Sequence, residues 1–134
     1  MKERPRIEHT KAPGLFQPPG YSHVVVAPGR CLVTTAGAVP LDAKGNLAGP
    51  GDRLVQARQT LENLVLAVEA IGATAHDIIK MTGYVLADDR GDLTAVWERV
   101  WGSGVGGTAS TLVGISMLGY EGQLGETEAI AVLE

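Results

Sequence analysis

The strongest hydrophobic pattern in the chain runs from Asp52 to Leu86. Leu54, Leu61, Leu64, Val65, Val68 and Ile71 recur at helical spacing, and Arg53, Gln56, Arg58, Gln59, Glu62, Asn63 and Glu69 fall mostly on the opposite side. That period predicts a surface helix with one buried stripe. Asp52, after Gly49-Pro50-Gly51, stands where it can cap the first free N–H groups, and Gly72 offers a left-handed exit. After a short turn at residues 73–76, Ile79, Met81 and Val85 alternate with Lys80, Thr82 and Tyr84. This is a strand with two different faces. A helix feeding a strand so closely packs back onto the sheet, which predicts an α+β or α/β unit.

The flanking segments supply the remaining strands. Ser22–Ala27 and Cys31–Ala36 are apolar and β-branched, and Pro28-Gly29-Arg30 between them predicts a hairpin. Residues 37–51 form a Gly- and Pro-rich loop, with a small turn at Leu41–Leu47. Past the break at Asp88-Asp89-Arg90-Gly91, Asp92 is the expected cap of a second helix, Leu93 to Trp101, burying Leu93, Val96, Trp97 and Val100. The glycine-rich residues 102–107 lack the strand, helix and lysine that a phosphate loop requires, and read as a connector. Strands are predicted at 108–117 and 124–133, with a turn at 119–122. Residues 1–14 read as an extended lead-in, and no repeat or boundary divides 1–134, so one domain is expected.

Composition narrows the function. With 134 residues, 45% hydrophobic and 19% charged, the chain suits one soluble core. A net charge of −4 disfavours nucleic acid and anionic membranes, and 4% aromatics leave no stacking platform for bases. No apolar run is long enough to span a bilayer, and the N-terminal residues lack a signal peptide's apolar core, so a cytoplasmic location is expected. The single cysteine, Cys31, excludes an internal disulfide and reads as a packed small hydrophobe. His9, His23 and His76 are scattered without metal spacing, so neither metal nor cofactor is expected.

Several local signatures occur in a fixed order: Pro19-Gly20-Tyr21-Ser22, Gly45-Asn46-Leu47, Gln59-Thr60-Leu61-Glu62-Asn63-Leu64, Ile71-Gly72-Ala73, Asp77-Ile78-Ile79-Lys80 and Glu126-Thr127-Glu128-Ala129-Ile130-Ala131-Val132. From about residue 15 onward the chain resembles the Rid/YjgF family of reactive intermediate deaminases, also called L-PSP endoribonucleases. The resemblance implies a chorismate-mutase-like α+β fold, two helices on one face of a mixed sheet. It also implies a homotrimer with a barrel-like core and ligand clefts between subunits. The doubly apolar Val24-Val25-Val26 and Ile130-Ala131-Val132 agree, since two helices cover only one sheet face.

In the family's deaminases an arginine followed by serine clamps the substrate carboxylate. Such an anchor is much of the catalysis when only a water must be placed on a C=N carbon. Here the matching stretch is Gly107-Thr108-Ala109-Ser110-Thr111-Leu112, with Ala109 at the arginine's place and no Lys or Arg from Val100 to Glu134. Ordinary 2-imino acid deamination is therefore not expected. By resemblance Glu128 is the acid that holds water, and Tyr21 either presents its hydroxyl to ligand or is a half-buried strand aromatic. Gly37 is the close backbone approach, and at Ala36 the family's serine hydroxyl is lost unless Thr35 substitutes. Ser110 and Thr111 line the cleft. Glu126 shares a face with Glu128 and is expected at the rim, facing solvent. His23 stands where the family has glutamine; it is a general base or cation on one reading, a surface residue on the commoner one.

The leading expectation is a hydrolase or lyase acting on a small imine, enamine or related unsaturated amine without an essential carboxylate. The alternative is a non-catalytic trimer that binds a small metabolite in the same clefts. An endoribonuclease ranks last, given the acidic balance.

Overall fold

The computed structural model describes residues 7–10, 13, 24–29, 31–102 and 108–134. The first helix, α1, spans Arg53–Glu69, and the Asp52 carboxylate accepts from the Leu54 and Val55 N–H groups at 3.1 Å each. Gly72 leaves the helix at φ 84°, a conformation that favours glycine. The buried side of α1 is Gln56, Ala57, Thr60, Leu64 and Val68. Leu54, Leu61 and Val65 are half-buried, but Ile71 is 49% exposed because the helix ends before it. Gln56 and Thr60 are buried despite their polarity because both are hydrogen-bonded.

Below the helices lies a four-stranded mixed sheet in the order β3-β6-β4-β5, with β3 at Cys31–Thr34, β4 at Ile78–Leu86, β5 at Ala109–Ile115 and β6 at Gly125–Leu133. β4 and β5 run parallel; the other pairs are antiparallel. A register shift between Ile78 and Lys80 turns Ile78 into the core and leaves Ile79 half-buried, which corrects the simple alternation expected there. The expected hairpin is also corrected. β2 (Val24–Val26) pairs with β1 (Glu8–Thr10), inside the stretch expected as lead-in, and β3 pairs with β6. Gly29 already runs against the Val132 side chain, so the chain is delivered to β6 rather than folded back on β2.

The second helix, α2, starts earlier than expected, at Arg90, and runs to Val96. Its cap is Asp89, which accepts from the Asp92 N–H at 3.1 Å; Asp92 instead accepts from the Asp88 N–H at 2.9 Å. A wider π-helical turn, Trp97–Trp101, continues it and tucks Trp101 into the core. Gly83 on β4 makes that possible, because a Cβ there would lie 2.6 Å from Trp101 Cη2 and 2.8 Å from Leu112 Cδ1. One face of the sheet is thus covered by α1 and α2 around Leu64, Val68, Met81, Val85, Val96 and Ala129. The other face carries Leu32, 70% exposed, and Val113, 38% exposed, with half-buried Ile130 and Val132 between polar residues. Cys31 is exposed on edge strand β3, so the packed cysteine expected from sequence is not found. Among the described residues, no helix is long and apolar enough to cross a membrane.

Candidate active site

The site is built on β6. Gly125, Thr127, Ala129 and Ala131 face the helices, and the Thr127 and Thr60 hydroxyls meet at 3.0 Å. Strand alternation therefore turns Glu126 and Glu128 together onto the uncovered face. Each acid has its own neutral donor. The Tyr84 hydroxyl donates to Glu128 Oε1 at 2.6 Å, and Gln123 Nε2 donates to Glu126 Oε1 at 3.3 Å and to the Gly125 carbonyl at 2.9 Å. The hydrogen bond to Glu128, with lesser effects of desolvation and the negative charges of Glu128 and Glu126, raises the Tyr84 phenol above its ordinary range. It is therefore a donor at neutral pH.

The two carboxylates have different surroundings. Glu126 does not stand free at the rim, as expected from sequence; it lies over Gly37, where a Cβ would come 2.6 Å from its Oε2. Only glycine allows that approach. An antiparallel bridge between Ala38 and Thr127 holds the loop beside the strand. Glu128 opens instead onto a recess of about 230 Å³ lined by Thr34, Thr35, Lys80, Thr82, Ala129 and Ile130. Thr35 Oγ1 there accepts from the Ala129 N–H at 3.0 Å, extending the ladder past the end of β3.

The parallel pairing sets Ala109 beside Lys80 and Thr111 beside Thr82, on the same uncovered face. Lys80 Nζ donates to Thr111 Oγ1 at 3.0 Å. Ser110 lies on the other side, paired with buried Met81, and its hydroxyl donates to the Thr108 carbonyl at 3.3 Å. The structure thus sets Glu126, Glu128, Ala109 and Thr111 on one sheet face, with Gly37 under Glu126 and Thr35 at the Glu128 recess, while Ser110 lies on the opposite side of β5. Tyr21 and His23 fall outside the described residues. Sequence reasoning missed Tyr84, Lys80 and Gln123. The alternation of Lys80, Thr82 and Tyr84 marked a polar strand face, but only the register reveals its neighbours.

The chain matches the family model described as Endoribonuclease L-PSP over residues 15–133. It belongs to this family. The L-PSP match agrees with the Rid/YjgF resemblance, and a solved structure extends the agreement to the fold. That structure is a protein of unknown function of the conserved Rid family, YyfB from Yersinia pestis. It superposes with a TM-score of 0.86 at 28% identity, covering 95% of this chain and 98% of that one. A RutC family protein of Haemophilus influenzae is 44% identical over 66 residues, 48% of each chain. A 2-iminobutanoate/2-iminopropanoate deaminase of Salmonella typhimurium is 43% identical over 54 residues, 40% of this chain and 41% of that one. The matches to these two relatives span less than half of their length.

Proposed function

We propose that this L-PSP/Rid family protein hydrolyses a small imine or enamine in clefts formed between the subunits of a homotrimer. The observation that carries the proposal is the pair of acids on one strand face, each fixed by a neutral donor, with a glycine backbone beneath one and a recess beside the other. A carboxylate held this way can accept a proton from a water while that water adds to the C=N carbon. The proton passes to nitrogen, the carbinolamine collapses, and the products are a carbonyl compound and ammonia. The second acid lies on the same strand face, where a water or the substrate nitrogen can meet both carboxylates.

Kinship to a 2-iminobutanoate/2-iminopropanoate deaminase supports the reaction class. Ala109 argues for a substrate preference unlike that of an arginine-clamped site. The descriptive name endoribonuclease finds no support in a chain of net charge −4.

Ammonia release from imines generated in situ from small amines and amino acids tests the reaction. Glu128→Gln and Glu126→Gln should each reduce turnover at least tenfold without altering assembly. Full activity in both variants would refute the two-acid reading. Binding without turnover across such a panel would instead favour the metabolite-binding alternative, to which the missing guanidinium at Ala109 already lends weight. Sedimentation at micromolar concentration should show a trimer; a folded monomer would remove the intersubunit clefts.

A further inference from the structure

Lys80 and Glu128 line one recess but form no ion pair with each other, and among the described residues no carboxylate lies within ion-pair distance of Lys80. Neighbouring hydroxyls hold the two charges apart. Lys80 Nζ donates to Thr111 Oγ1 on β5, and Glu128 Oε1 accepts from Tyr84, one side-chain position further along β4 from Thr82. The register sets Lys80 directly beside Ala109, with parallel strands about 4.8 Å apart. Ala109 sets only a methyl group beside the lysine.

We propose that the recess shared by Lys80 and Glu128 binds small dipolar ligands, with their carboxylate on Lys80 and the Thr111 hydroxyl and their protonated nitrogen toward Glu128. The anchoring cation is thus supplied by β4, one strand away from Ala109. A lysine ammonium is a compact point charge without the planar fork of a guanidinium. It anchors a carboxylate through one contact and constrains its orientation less. Completing both ends of a separated charge pair is favourable because neither charge must first be pulled from a partner. The inference rests on the reading of this cleft as the ligand site and adds which end of the ligand each residue meets.

The test is an NMR titration of the full chain with L-alanine, L-alaninamide and propionate, none of which needs turnover. L-Alanine should shift resonances of Lys80, Thr111 and Glu128. Alaninamide, lacking the anion, and propionate, lacking the nitrogen, should bind about tenfold or more weakly, the scale of one charge-assisted hydrogen bond. Lys80→Met should weaken alanine binding by the same factor, Lys80→Arg should retain it, and Thr111→Val should weaken it several-fold. The Lys80→Arg rescue separates loss of charge from loss of fold. Equal binding of alanine and alaninamide would overturn the proposal, as would Lys80→Met binding within twofold of wild type. Alanine bound at Lys80 in a protein that turns over no imine would sustain this site while refuting the hydrolase. Imine turnover with no alanine contact at Lys80 would do the reverse.

Discussion

Replacing Gln56 should destabilise the fold far more than its place on the polar side of a helix pattern implies. Its side chain is 0% exposed. Nε2 donates to the Gly49 carbonyl at 3.3 Å and the Gly122 carbonyl at 3.1 Å, while Oε1 accepts from the Leu124 N–H at 2.7 Å. One residue thus ties the turn before α1 to the turn that delivers β6 and its acids. Gln56→Leu keeps the volume and removes all three bonds. At about 0.5–1.5 kcal/mol for each bond, plus a larger share for a buried N–H left without a partner, the loss should be roughly 3–5 kcal/mol. For a chain of this size that corresponds to a melting temperature lower by roughly 10–18 °C. Urea denaturation at fixed protein concentration measures it, because assembly would couple stability to concentration. A loss below about 1 kcal/mol would refute the reasoning, since water or backbone relaxation would then replace the glutamine without cost.

Gly83→Ala should cost about 1–3 kcal/mol as an overpacking substitution, because the added methyl meets the Trp101 ring; unchanged stability in the same denaturation assay would mean the ring swings clear. The Tyr84 contact carries a pH signature. Its phenol is raised above 10.0 in the fold, so the stability it contributes is fully present below that value and is lost as pH rises through the folded pKa. The stability difference between wild type and Tyr84→Phe should therefore hold constant up to about pH 10 and shrink above it, and a difference that stays constant above pH 10 would contradict the assignment. Ala109→Arg would set a guanidinium beside Lys80 and should tighten L-alanine binding about tenfold in the same NMR titration. No change would mean that position 109 does not face the ligand.

The helix–strand core was legible because its signals are local. Asp52 as a cap, Gly72 as an exit and Ile78–Leu86 as a strand each follow from a few adjacent residues. Where the sequence pattern misled, a distant partner decided. Gln56 reads as solvent-facing until the carbonyls of Gly49 and Gly122 arrive, and Asp92 reads as a cap although Asp89 holds the position. The β2–β3 hairpin was a reasonable inference from a tight turn, but pairing depends on which neighbour presents a free edge. The acids of β6 could be placed on one face from alternation alone. That Glu126 covers Gly37, Glu128 meets Tyr84, and Lys80 flanks Ala109 depends on registers between strands far apart in sequence.

The position of β6 in the sheet also bears on motion. It is flanked by hydrogen-bonded strands on both sides, whereas β3, which brings Thr34 and Thr35 to the recess, is a sheet edge among the described residues. Amide exchange should accordingly be slowest along Glu126–Ala131 and faster at Leu32–Thr35, where opening need break only one ladder. The two walls of the recess would then fluctuate unequally. The carboxylate stays fixed in place while the threonine side breathes, so a ligand can enter by fraying an edge strand without disturbing the acids it must meet.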